Sequence, residues 1–158
     1  MSELRLDVLG IGNAIVDVIA RADESFLGEH ELPKGGMTLI DSDRAHRLYE
    51  AMGPAIEMSG GSVANTMAGL ASLGGRGAFV GKVRNDQLGG IFRHDIQATG
   101  VEFETPSATS GLPTARCLVF ITEDAQRTMA TFLGASTELG PDDLDHRQIA
   151  QAKVTYLE

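Results

Sequence analysis

A carboxylate, a pair of glycines and a side-chain amide are the groups in this sequence best suited to hold a hydroxyl-rich ligand. Asp17 interrupts the apolar run "AIVDVIA" at 14–20, where a carboxylate is costly to bury without partners. Its two oxygens can each accept a hydrogen bond, which suits paired sugar hydroxyls. An edge position facing water accounts for it equally well. In "MSGGSVANTMAGLASLG", residues 58–74, Gly60 and Gly61 stand at the entrance of a small-residue helix. Backbone N–H groups at such an entrance lie open to a ligand. Asn65, a buried-looking amide one turn inside, can read a hydroxyl or a carbonyl. The competing reading is a tight turn with Asn65 bonded to a neighbouring loop.

Other chemistries find less support. "GIGNAI" at 10–15 starts like a dinucleotide fingerprint, but Ile15 stands where the third glycine is needed for close helix–strand packing. No GxxxxGK[ST] phosphate loop occurs. Cys117 is the single cysteine, which excludes an internal disulfide and reads as a small buried hydrophobe. His30, His46, His94 and His146 lie among polar neighbours and receive no role. A net charge of −9 without a basic cluster argues against nucleic acid or an anionic membrane as partner. No apolar run approaches the length of a membrane span and no basic leader precedes one, so a cytoplasmic location is the expectation.

The elements that must position these groups follow from pattern. Residues 6–21 read as two short strands broken at "GIGN", and "PKGGMTLID" as a short strand with a glycine entry. "SDRAHRLYEAM" carries apolar residues at helical spacing, and residues 61–73 form the small-residue helix closed by Gly74 and Gly75. "GAFVGKV" is an apolar strand, and "NDQLGGIFRHDIQATG" a helix with a polar start and a glycine stop. "TARCLVFIT" and "MATFLGAS" flank a turn as an antiparallel ribbon. "GPDDLDHRQIAQA" reads as a helix opened by Pro141 and acidic residues, followed by the strand "KVTYLE". Alternating strands and helices imply an α/β fold with a parallel sheet.

The stretch "GGSVANTMAGLASLGGRGAFVGKVRNDQLG" resembles the N-terminal signature of the PfkB (ribokinase-like) sugar and nucleoside kinases. Its landmarks here are Gly60, Gly61, Asn65, Gly74, Gly81, Asp86 and Gly89. "GNAIVD" at 12–17 and "GLPTARCLVFITEDAQRTMATFLGAS" also resemble that family, in its adenosine-kinase-like branch. The resemblance implies a ribokinase-like α/β core of parallel βα units with a small β lid. Strands near 14–21, 35–41 and 114–134 would form that lid, and the substrate would lie between lid and core. It implies that Asp17 binds substrate hydroxyls, with Gly60, Gly61 and Asn65 completing the site. Arg127 would approach the transferred phosphate, and Met37, with Leu118, Phe120 and Phe132, would line an apolar slot or form lid core. Lid-mediated homodimers are a further implication.

The same resemblance implies ATP and Mg²⁺ as cofactors, with sites mostly on a C-terminal half. No "GAGD"-like turn with its general base occurs in these 158 residues. The chain is therefore expected to carry the substrate-binding part of an ATP-dependent kinase for a nucleoside or sugar, adenosine favoured, and to be inactive alone. A non-catalytic binding module and a purely structural α/β domain are the alternatives.

Overall fold

The computed structural model describes residues 4–158. Two sheets share the chain. A parallel three-stranded sheet is ordered β5 (Gly77–Val80), β1 (Leu6–Ile11), β8 (Ala152–Leu157). A mixed five-stranded sheet is ordered β3 (Met37–Leu39), β7 (Arg127–Phe132), β6 (Ala115–Ile121), β2 (Ile15–Arg21), β4 (Ile56–Gly60). The break read at "GIGN" is where the backbone leaves one sheet for the other. The strands β2, β3, β6 and β7, which lie inside the segments 14–21, 35–41 and 114–134, all belong to the five-stranded sheet.

Alternation explains the two faces of that sheet. In β2, Val16 and Val18 are fully buried, whereas Ile15, Asp17 and Ile19 point the other way and are partly accessible. Leu118, Phe120 and Ala130 continue the buried face across β6 and β7. That face packs against helices α1 (Glu24–Glu29), α2 (Ser42–Ala51) and α4 (Gln87–Ala98), whose apolar residues join the same core. Helix α3 (Ser62–Ser72) lies on β1 and β5 instead, where Met67 and Val63 press so closely that a side chain at Gly10 would collide with them. Phe79, Phe92 and Phe103 form a mutually contacting aromatic cluster between α4 and the smaller sheet, with ring centroids 5.3–5.8 Å apart.

Two elements are added and one local expectation is revised. The strand β4 and the short helix α1 did not stand out in the sequence. The helix expected from Pro141 onward is two pieces, a 3₁₀ turn at Pro141–Asp143 and helix α5 at His146–Ala150. Asp143, the last residue of the 3₁₀ turn, reaches back to accept from Gly140 N at its N-cap. Asp145 then caps α5 by accepting from Arg147 N, so two short turns replace one helix. No helix of the described residues is long and apolar enough to cross a membrane.

Candidate functional site

Strand pairing places Asp17 in the middle of the open face. It lies opposite Met58 on β4 and Cys117 on β6, and Cys117 lies opposite Thr131 on β7. The Asp17 carboxylate sits directly over Gly60: a Cβ at that glycine would fall 2.4 Å from Oδ2. No hydrogen bond or ion pair satisfies the Asp17 carboxylate among the described residues. Burial pushes its pKa up, and the positive charge of Arg127 acts in the opposite sense. A half-buried acceptor of this kind, left without a donor, is suited to a ligand that brings its own.

The glycine pair has a different geometry at each position. Gly61 adopts φ 97° and ψ 143°, and a Cβ there would lie 2.4 Å from the carbonyl oxygen of Asn13. That conformation is open almost only to glycine. The residue turns the chain from β4 into α3, and its own carbonyl accepts the amide of Asn65 at 2.9 Å. Asn65 is exposed, not buried as its setting in the sequence indicated. Its side chain bonds to no neighbouring loop among the described residues.

The remaining candidates divide by face. Met37 is exposed on the Asp17 side, in a row with Met129 and Val119. Leu118, Phe120 and Phe132 are buried on the opposite side and are core. Arg127 is the first residue of β7, exposed and paired with Ile121. Cys117 and Thr131 are neighbours that pattern alone did not bring to Asp17. Thr131 Oγ1 donates to Cys117 Sγ at 3.3 Å, and burial, aided by the Asp17 charge, raises the thiol's pKa. Only strand register reveals this row. A cavity of about 530 Å³ lined by Tyr49, Met52, Gly53, Ala55, Glu57 and Ile91 opens on the reverse of β4 and takes no part in the site.

The pattern of the pfkB family carbohydrate kinases matches residues 53–158, more than half of the chain. This chain belongs to that family. The pfkB chain superposes on the crystal structure of an adenosine kinase from Sinorhizobium meliloti with a TM-score of 0.89 and 59% identity, over 97% of its own length and 47% of that chain. A probable sugar kinase from Rhizobium etli gives 0.88 and 52%, over 98% and 47%. A probable fructokinase from Arabidopsis thaliana is 34% identical over 103 residues, 64% of this chain and 32% of its own length. The chain thus spans about half the length of the solved relatives and a third of the fructokinase. Its fold is the ribokinase-like α/β fold of these kinases.

Family membership carries an expectation of ATP use. Among the described residues no cluster of three His, Cys, Asp or Glu could hold a metal ion. No step through Mg²⁺ or ATP is assigned to the residues of this pfkB chain.

The raised pKa of Asp17 has a consequence for stability. Its proton is held more tightly in the folded chain than in the unfolded one. The corresponding stability is fully present below the unfolded value, about pH 4, and is lost as pH rises through the higher folded value. Asp17→Asn is therefore expected to raise the melting temperature at pH 7, with the gain shrinking as pH falls towards 4. Thermal melts of both proteins across that range check it.

Proposed function

We propose that this chain carries the substrate-binding part of an ATP-dependent phosphotransferase acting on a hydroxyl of a nucleoside or sugar, with adenosine the favoured substrate. The observation that carries the reading is the Asp17 carboxylate, half-buried, over Gly60 and without a donor of its own. Two vicinal hydroxyls would supply the missing donors. Asn65 and the backbone at Gly60 and Gly61 would bound the ligand, and Met37 would contribute apolar contact. Arg127 would offer a cation towards the transferred phosphate. In this reading the five-stranded sheet is the lid, and ATP and Mg²⁺ are held mainly by the part of the relatives' length that this chain does not span. Adenosine is favoured because the adenosine kinase from Sinorhizobium meliloti is so similar in sequence and fold. The exposed Met37, Leu39, Ile56 and Met58 make the lid face a candidate for contact with a second copy.

Two measurements test the proposal. Titration calorimetry with adenosine, ribose and fructose should detect binding by the purified chain, strongest for adenosine. ADP release should appear only when the remaining kinase length is present, and none with any of these substrates would sink the kinase reading. A binding-only module is the second reading. It predicts binding with no ADP release at any chain length.

A further inference from the structure

Helix α4 belongs to the core: Phe92 and Ile96 are buried in it beside Phe79 and Phe103. Two of its carboxylates nevertheless reach into the five-stranded sheet. Asp86, its N-cap, accepts from Gly89 N at 2.8 Å, and also from Thr114 N at 2.9 Å and Thr114 Oγ1 at 2.6 Å. Nine residues further on, Asp95 Oδ2 accepts from the backbone N–H of Ser59 at 2.9 Å. Thr114 immediately precedes the first residue of β6, and Ser59 immediately precedes Gly60.

The pairing gives these two contacts a shared meaning. Ile15, the first residue of β2, lies opposite Ala115 on one side and Gly60 on the other. The two carboxylates stand roughly 13 Å apart along the helix, and they hold both neighbours of β2 at the level where β2 enters the sheet. Asp17 lies two residues further in. β4 is the outer strand of that sheet. The Ser59 N–H that would otherwise face outward unpaired is taken by a side chain of helix α4.

We propose that Asp95 is a positioning residue for the Asp17 cleft. By holding Ser59 it fixes β4 relative to the core, and so keeps Gly60 beneath the Asp17 carboxylate. Asp86 provides the matching anchor on the β6 side. The proposal rests on the reading of Asp17 as a hydroxyl acceptor for substrate. A role limited to covering a strand edge would affect stability and leave the cleft unchanged.

Three substitutions separate these roles. Asp95→Ala removes the acceptor, Asp95→Asn keeps an oxygen in place for Ser59 N–H, and Asp95→Glu lengthens the reach by one methylene and pushes β4 outward. Adenosine affinity by calorimetry is expected to fall about tenfold in the alanine and glutamate variants and to stay near wild type in the asparagine variant. Wild-type affinity in both the alanine and glutamate variants would overturn the proposal. If the alanine variant does not fold, the glutamate variant decides alone. If the wild-type chain binds neither adenosine nor fructose, it is the functional reading that fails. NMR then judges the positioning role by itself. Shifts at the Asp17 carboxyl carbon and the Gly60 amide that appear in Asp95→Glu and are absent in Asp95→Asn support it, and changes confined to Ser59 overturn it.

Discussion

Asp17→Ala is expected to weaken adenosine binding by a hundredfold or more while leaving the chain at least as resistant to heat. The magnitude follows from the acceptor count. A hydrogen bond to a charged group contributes about 1.5–3 kcal/mol, and a carboxylate facing two hydroxyls makes at least two. Their loss amounts to about 3 kcal/mol or more, and each 1.4 kcal/mol is tenfold in affinity. The opposite sign on stability follows from the same atoms, because a carboxylate with no donor disfavours the fold it sits in. Calorimetric titration and a thermal melt on the same sample provide the check. An unchanged dissociation constant would end the hydroxyl-acceptor idea, and a large drop in melting temperature would show that Asp17 is structural.

The second large effect separates the two glycines. Gly61→Ala is expected to destabilise the fold, because its positive φ and its contact with the Asn13 carbonyl are both backbone constraints. Strain of this class costs about 1–3 kcal/mol, and the clash adds to it. For a chain of this size each 1 kcal/mol shifts the melting temperature by about 2–4 °C, so a fall of roughly 10 °C is expected. In Gly60→Ala the three atoms nearest the added methyl all belong to the end of the Asp17 side chain. That variant should melt near wild type and bind adenosine poorly. Equal melting temperatures for the two variants would contradict this division of labour.

The strand over 15–21 was legible in the sequence as an apolar run, but its two faces were not. Ile15 and Ile19 are as apolar as the buried Val16 and Val18, and only Asp17 marks the accessible side. The ribbon of β6 and β7 was equally plain. β4 was not, since "IEMSG" has a single β-branched residue and ends in glycines that look like a turn. Its strand character comes from pairing with β2 and from the cover of α4, which are tertiary facts. The same holds for Cys117 and Thr131, brought to Asp17 only by register. Asn65 looked buried because small residues surround it in sequence, yet its position on α3 turns it to solvent. Leu118, Phe120 and Phe132 were compatible with either face until the pairing was known.

The alternation on β2, β6 and β7 has an evolutionary consequence. One set of residues on each strand builds the interior, and the interleaved set builds the face on which Asp17 lies. Mutations at the partly accessible Ile15, Ile19 or Met129 can reshape that face while the even-numbered partners keep the interior intact. If that face holds the substrate, as proposed, ligand preference can drift by single substitutions without passing through unfolded intermediates. A library confined to those positions should yield mostly folded proteins with altered selectivity, whereas one confined to Val16, Val18, Leu118 and Phe120 should yield mostly insoluble ones.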